Sequence, residues 1–390
     1  MVKLEDVLSS KIIKYSKEAI IVQEIMMKIS YNTINESIKK ILNLDVIHSD
    51  DGILSISDNA YFAAQYRPFL IHPLAKLIFE LSKNENDDNC LHLLKKMFLR
   101  IPPKIMDQKW KIALLHGLYV QGFYNDEEMY QFINDFFNQY PIIPNLPFWK
   151  NNSRQEFLIF VWFAPLIHKM DEGKYNFILE KLKQCVEHHD LISCYNQYLE
   201  LLPKIQENNW KLYEAWASNL YLEDSLAYIL KNDDVDRLKT IKNLDENTRI
   251  EPTVFEFSLF LSRKPNILQF AAFYGAEKCF NYIESIGGNF KDSDYGKRNL
   301  LHFALSGGNL NIILKSLHEI PNYDLATRLA AEFHRFDIFQ LLYKSHKLDI
   351  KSNDLKNGSI FHGIASSNHV KMILFCIEQG CDVNQRDGIY

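Results

Sequence analysis

The sequence predicts an all-α protein, and three observations support this prediction. Glycine and proline are sparse, with 14 and 12 copies in 390 residues. Apolar residues recur over long segments at spacings of three and four, which is the period of a helix face and not of a strand. In the last third of the chain, a pattern of two short apolar helices around a turn residue returns at a fixed interval. We therefore expect a helical N-terminal domain followed by a helical-repeat solenoid.

Composition and charge exclude several classes of protein. Hydrophobic residues make up 47% of the chain, which is ample for a buried core. The formal net charge is −5 with both signs interspersed, so no basic stripe predicts nucleic-acid binding. The six cysteines lack paired spacing, which is typical of reduced thiols in a cytoplasmic protein. No signal peptide and no apolar run of about 18 residues is present, so we expect a soluble intracellular protein without a membrane span.

The first 57 residues are predicted to form N-terminal helices. Lys11, Lys14 and Lys17 alternate with isoleucines, which is the pattern of an amphipathic helix that can lie on a membrane surface. The acidic residues of the same segment, among them Glu18 and Glu24, instead favour a helix that docks on the protein's own domain.

Residues 58–215 are predicted to form an all-α helical domain. A helix is expected from Leu70 to Leu81, with Pro73 in its first turn. Another helix is expected after Asn125, which is a good N-cap, because Glu128 stands three residues later and completes a capping box. Short turns with proline or glycine separate the helices.

Residues 221–390 are predicted to form the repeats. In two stretches, Gln269 matches His302, Ala271 matches Ala304 and Gly275 matches Gly308, each at an offset of 33 residues. We delimit units at about 264–296, 297–323, 324–356 and 357–390, with a degenerate unit near 224–260. Such units bury little apolar surface alone and must stack on their neighbours.

One turn position recurs in these units. It is occupied in order by Gly275, Gly308, His334 and Asn368. Glycine adopts positive φ readily, and asparagine and histidine do so more often than other residues. The four residues therefore predict one shared backbone conformation between the two helices of each unit.

The unit resembles the ankyrin repeat, which has a Thr-Pro-Leu-His-like tetrad, a turn glycine and a Gly-Ala-Asp-Val-Asn ending. "EQGCDVNQRDG" at 378–388 matches that ending with Cys381 in place of alanine, whereas the tetrad proline is absent. "AAQYRP" at 63–68, "NNWKLY" at 208–213 and "RIEPTVFEFSLFL" at 249–261 look like segments of the large trichomonad (protist) family of ankyrin-repeat proteins with a helical N-terminal region. The resemblance implies the architecture and a protein-binding role.

The resemblance also implies where a partner binds, which is at the concave face and the hairpin tips. The corresponding residues are Phe273, Tyr274, Tyr295, Arg298, Glu332, Phe333, Leu355 and Lys356. Exposed aromatic residues in these places would suit binding hot spots. The alternative is that Phe273, Tyr274 and Phe333 pack against the helical domain or a neighbouring loop.

The sequence contains no strong motif for metal binding or catalysis. Cys185, His188, His189 and Cys194 form the most metal-like cluster, but no CxxC pair accompanies them and Cys185 continues an apolar stripe. His302 and His362 occupy the tetrad position, where the ankyrin family uses histidine to bond a loop. No phosphate-binding, zinc-protease or hydrolase motif occurs, so we expect no metal, no cofactor and no catalytic residue.

The sequence thus predicts a non-enzymatic adaptor that binds a protein partner through its repeats. The alternative is an enzyme or effector whose N-terminal helical domain has an unrecognised activity, with the repeats recruiting its target. Because no polar capping repeat follows the last unit, weak self-association through that unit is also expected.

Overall fold

The computed structural model describes residues 3–100, 109–139, 153–188, 193–258, 260–346, 364–365 and 367–382. Every regular element in these residues is an α-helix or a short 3₁₀ turn, and no strand occurs among them. Extended backbone pairs there at an isolated antiparallel bridge between Arg249 and Asn266. The prediction of an all-α protein is confirmed.

Contacts along the chain divide it into two compact units. The helical unit comprises Met26–Tyr228 and Glu251–Ser262. The repeat unit comprises Met1–Ile25, Ile229–Ile250 and Arg263–Tyr390. Each unit is therefore discontinuous in sequence, and the first 57 residues are divided between the two.

The helices of the first half are α1 (Ser10–Lys28), α2 (Ile34–Leu42), α3 (Asp50–Tyr66), α4 (Ile71–Ser82), α5 (Leu94–Phe98), α6 (Lys109–Val120), α7 (Asp126–Gln139), α8 (Ser153–Met170), α9 (Glu172–His188) and α10 (Ser193–Asn219). Apart from α2 and α5, they are longer than the helices of the second half. The predicted helix with Pro73 in its first turn is α4. The predicted capping box opens α7, because Asn125 Oδ1 accepts from the Glu128 amide at 2.8 Å and Glu128 Oε2 accepts from the Asn125 amide at 2.9 Å.

Two of these helices contain irregular backbone. Phe163 leaves the helical region in α8, two residues before Pro165, whose ring cannot accommodate the preceding turn of a straight helix. In α10, Asn208, Asn209 and Trp210 all have positive φ, which divides that helix into two parts. Asparagine tolerates this conformation, whereas tryptophan rarely adopts it and is held here by burial.

The segment 251–262 lies in the core of the helical unit, although it follows the first repeat-unit helices in sequence. Phe255 is fully buried, with its ring centroid 5.1 Å from Trp162, 5.3 Å from Trp216 and 5.4 Å from Tyr213. The Tyr221 hydroxyl donates to the buried carboxylate of Glu256. The helical unit is therefore completed by residues that come after the predicted end of the helical domain at 215.

The helices of the second half are short, and the first eight of those described come in pairs. They are α11 (Leu226–Lys231), α12 (Val235–Thr240), α13 (Ile267–Tyr274), α14 (Glu277–Ser285), α15 (Leu300–Gly307), α16 (Leu310–Glu319), α17 (Tyr323–Glu332), α18 (Phe336–His346) and α19 (Val370–Glu378). Helix α13 packs on α15 and α15 on α17, whereas α12 packs on α14 and α14 on α16. Successive pairs therefore contact each other through like helices.

Helix α1 lies against the turn at Asn368 and against α19 of the repeat unit. The buried Gln23 side chain donates to the Asn368 carbonyl at 2.6 Å and accepts from the Val370 amide at 3.2 Å. An ion pair of 2.5 Å joins Glu24 to Lys371. Helix α1 therefore occupies part of the surface of the last repeat, which the sequence did not predict. Self-association of the chain stays a prediction.

Candidate partner-binding surface

The turn position of the repeats has the same backbone conformation in each unit. The φ angles are 66° at Gly275, 81° at Gly308, 55° at His334 and 52° at Asn368. Asp233, between α11 and α12, has a φ of 53° and occupies the equivalent place in the degenerate unit. Positive φ is the conformation that the repeat register predicts for these positions.

The adjacent glycines at the end of α15 meet two different constraints. Gly308 has positive φ, which a side chain would strain. At Gly307, a Cβ atom would lie 2.1 Å from the Ala272 carbonyl oxygen and 2.9 Å from that of Phe273. Helix α15 therefore approaches the end of α13 so closely that no side chain fits between them.

Arg335 caps the C-terminal end of α15 from the next repeat. Its guanidinium donates to the carbonyl oxygens of Leu305 at 3.2 Å, of Ser306, and of Gly307 at 2.6 Å. These carbonyls carry the partial negative charge of a helix C-terminus, so a cation is favourable there. Burial lowers the pKa of Arg335 to about 10. No motif in the sequence singled out this residue.

Two further side chains join neighbouring repeats. Asn309 donates to the Gly275 carbonyl at 3.3 Å and to the Glu277 carboxylate at 3.0 Å. Asp233 accepts from the Cys279 amide at 2.8 Å and so caps the start of α14. Asn309 follows the turn glycine and is an N-cap type of residue, which is a signal that sequence reasoning could have used. These contacts fix the spacing of successive turns.

Two of the predicted partner-binding aromatic residues do not face solvent. Phe273 is 3% exposed and Phe333 is 2% exposed. The expectation that both lie on an open concave face is therefore corrected, and their burial favours the alternative in which they pack within the protein. Tyr274 and Glu332 are half-buried, and burial raises the pKa of Glu332.

Tyr295 is the most exposed aromatic residue among the predicted sites, with 68% of its surface accessible. It lies in the turn of residues 292–298, which we call the Tyr295 loop. The Tyr295 amide donates to the Arg263 carbonyl at 3.0 Å, and the Asp294 amide donates to the Arg298 carbonyl at 3.0 Å. The Arg298 Nε donates to the buried Asp294 carboxylate at 2.9 Å. Hydrogen bonds within the loop and to Arg263 thus order it. The Arg298 guanidinium pairs with Asp294 inside the loop.

The buried side chain of Gln269 and the half-buried side chain of Arg249 bond the Tyr295 loop to the rest of the repeat unit. The fully buried Gln269 donates to the Asp292 carbonyl at 3.0 Å. Arg249 forms an ion pair of 2.7 Å with the Asp292 carboxylate. The same guanidinium donates to the Lys264 carbonyl at 3.0 Å and lies 5.1 Å from the centroid of the Tyr295 ring. These contacts therefore order the loop that carries the exposed Tyr295 ring.

Several candidate residues lie outside the described part of the chain. They are Leu355 and Lys356 of the hairpin tips, His362 of the tetrad, and the side chains of Cys185, His188 and His189 in the metal-like cluster. The fourth member of that cluster, Cys194, is buried, and burial raises the pKa of its thiol to about 11. Among the described residues, no group of three or more histidine, cysteine, aspartate or glutamate side chains is placed to hold a metal ion.

Among the carboxylates that the structure describes in the helical unit, Glu156 has the most strongly raised pKa, and sequence reasoning missed it. It is fully buried on α8, and neither carboxylate oxygen has a hydrogen-bond partner in the described structure. Burial raises its pKa to about 8. A raised pKa is common in active sites. Here the lack of exposure offers no surface to a substrate, so the group's titration is coupled to folding.

No protein-family model matches the chain, and no curated protein matches it. The likeness to ankyrin repeats and to the trichomonad family therefore depends on the residues quoted above. Within the described ranges, none of the helices has the length and apolar character that crossing a membrane requires.

Proposed function

We propose that this chain is a divergent ankyrin-type repeat protein whose repeat unit binds a protein partner, without catalysis of its own. The ankyrin-type assignment is supported by the shared positive φ at the turns and by the packing of like helices on one another. Repeat arrays of this kind use exposed turns and extended surfaces to bind partners.

The observation that carries the proposal is the exposure of Tyr295 on an ordered loop. Tyrosine and arginine are enriched among residues that dominate binding energy. Because hydrogen bonds and the Arg249 guanidinium already order this loop, binding loses little conformational entropy there. An exposed tyrosine on an ordered loop, beside a guanidinium, is therefore well suited to be a binding anchor.

The charges around Tyr295 indicate the chemistry of the partner. Arg263 and Lys297 are exposed next to it in the structure. The nearby carboxylates, Asp292 and Asp294, are already paired with arginines of this chain. We expect a protein segment that presents carboxylates around a pocket for the tyrosine ring, because such a surface complements the local positive charge.

Affinity capture from a lysate of the source cell tests the proposal. The bait is the full chain, compared with a Tyr295→Ala variant and with a Tyr31→Ala control that removes a similarly exposed tyrosine from the helical unit. We expect a partner that binds the parent and the control. Loss of a hot-spot anchor costs about 2 kcal/mol or more, so we expect its affinity for Tyr295→Ala to fall by about thirtyfold.

Two outcomes contradict the proposal. Equal capture by Tyr295→Ala and the parent moves the binding site away from this loop. Turnover of a substrate by purified protein that captures no partner favours the alternative, in which the helical unit has an enzymatic or effector activity.

A further inference from the structure

Two cysteines stand at the ends of one helix-capping motif in the last repeat. Helix α19 is followed by Gly380, which has a φ of 82°. The Cys381 amide donates to the Cys376 carbonyl at 3.0 Å, and the Gly380 amide donates to the Ile377 carbonyl at 2.9 Å. These two hydrogen bonds define a Schellman motif, with Cys376 at position C3 and Cys381 at position C″.

The Schellman motif brings these two side chains together. Residues at C3 and C″ usually make an apolar contact across the helix end. In this chain both are buried cysteines that are not joined by a disulfide, and their thiols are in hydrogen-bonding contact. The backbone hydrogen bond of 3.0 Å joins the two residues directly. Protein disulfides require such proximity, with Cα atoms usually about 4.4–6.8 Å apart.

We propose that Cys376 and Cys381 form a redox-sensitive dithiol, which a small-molecule disulfide oxidises to an intramolecular disulfide across the end of α19. The proposal is independent of partner binding. Since the capping motif already brings the two thiols into contact, closing the bond needs little movement of the backbone. The lone buried cysteines Cys194 and Cys279 differ, because the described structure shows no second thiol in contact with either.

The reaction proceeds by two thiol–disulfide exchanges. The Cys381 thiolate attacks one sulfur of the small-molecule disulfide, which forms a mixed disulfide and releases one thiolate. The Cys376 thiolate then attacks the Cys381 sulfur, which forms the intramolecular bond and releases the second thiolate. The two cysteine protons pass to the two released thiolates, so the dithiol loses two electrons and the small disulfide gains them.

Burial limits how fast this reaction runs. It raises the pKa of the Cys376 thiol well above its ordinary value, so little reactive thiolate is present in the closed structure. Exchange therefore depends on brief opening of the helix end. The same burial protects the disulfide from reductants once it has formed.

Trypsin allows a direct test, because cleavage after Lys371 and Arg386 places both cysteines, and no others, in the peptide 372–386. The reduced full chain is treated with glutathione disulfide under native conditions, and the remaining thiols are then alkylated. We expect this peptide to lose the mass of two hydrogen atoms and to carry no alkyl group. Modification of the partly exposed Cys90 shows that the oxidant was active.

A Cys381→Ser variant serves as the control, because Cys376 alone can form a mixed disulfide with glutathione but cannot close the intramolecular bond. The proposal is overturned if the native peptide 372–386 stays fully alkylated while Cys90 is modified. It is also overturned if glutathione remains attached to the peptide without closure, or if closure occurs in urea but not in the native chain.

Discussion

Among single residues, Glu156 is a buried acid to which the described part of the chain offers no hydrogen-bond donor. The unfolded chain releases this proton near the ordinary pKa of 4.5, whereas the folded chain retains it up to about 8. The folded state therefore binds more protons than the unfolded state between these two values. By linkage, the stability that the neutral acid allows is fully present below pH 4.5 and is lost as pH rises through about 8.

A Glu156→Gln variant tests this coupling, since the amide stays uncharged at every pH. We expect its free energy of unfolding to match that of the parent below pH 4.5 and to exceed it above pH 8. The gain is about 1.4 kcal/mol for each unit that separates the folded and unfolded pKa values, so it amounts to several kcal/mol. Urea unfolding of both proteins across this range measures it.

The control for this experiment is Glu200→Gln, which changes an exposed carboxylate of the same unit. It should unfold like the parent throughout the range. A Glu156→Gln variant whose stability follows that of the parent above pH 8 would show that folding does not raise the pKa of Glu156.

For single residues, the sequence predicted the backbone conformation of the turns better than the contacts of buried charged side chains. The conformation of Gly275, Gly308, His334 and Asn368 could be predicted, because residue type and register together restrict φ. The roles of Arg335 and Glu156 could not, because they depend on which groups the fold places around each side chain. The same limit explains Phe273 and Phe333, whose burial depends on tertiary packing.

Individual helices were predictable where local capping defines them. The start of α7 follows from Asn125 and Glu128, which bond each other within one turn. The interruption of α10 at residues 207–210 was not predicted, because the sequence there contains neither glycine nor proline. Packing of Trp210 holds that irregular backbone, and no local pattern encodes it.

Helix α1 provides a test at the scale of one element. A Gln23→Ala variant removes both hydrogen bonds that join this helix to Asn368 and Val370. Leaving buried backbone groups unsatisfied costs about 1–3 kcal/mol, so we expect α19 to open more often. Hydrogen exchange of the α19 amides measures this opening, and their protection should fall.

Lys17→Ala is the matched control, because Lys17 is exposed on the same helix. Its α19 amides should exchange as slowly as those of the parent. Unchanged protection in the Gln23→Ala variant would mean that α1 contributes nothing to the stability of the last repeat.

For the whole molecule, the two units differ from the domain division that the sequence suggested. The fragment 251–262 belongs to the helical unit, where Phe255 fills the space between three aromatic rings. A domain cut from the chain before this segment therefore lacks part of its core. Hydrophobic patterning indicated the helices on each side, but it could not show which unit the intervening segment joins.

We expect a fragment of residues 26–228 to be less stable than a fragment of residues 26–262. Loss of a buried phenylalanine side chain alone costs about 3–5 kcal/mol, and the shorter fragment also loses Glu256 and its neighbours. Urea unfolding followed by tryptophan fluorescence compares the two, because Trp162 and Trp216 contact Phe255. In the longer fragment, Phe255→Ala should reproduce much of the loss.

An exposed phenylalanine, Phe69, supplies the control substitution to alanine and should leave the unfolding midpoint almost unchanged. If both fragments unfold at the same urea concentration, the segment 251–262 is not part of the helical unit's core.

The contact between α1 and the last repeat also has a consequence during protein synthesis. Gln23 and Asn368 are separated by 345 residues. At a translation rate of 5–20 residues per second, roughly 20–70 s pass between the synthesis of the first and of the second. Throughout that interval, the Gln23 side chain, which is buried in the finished protein, lacks the backbone groups of Asn368 and Val370 that it bonds there. The nascent chain therefore has a period in which α1 is open to chaperones and proteases, and the repeat unit can close only after residue 368 has left the ribosome.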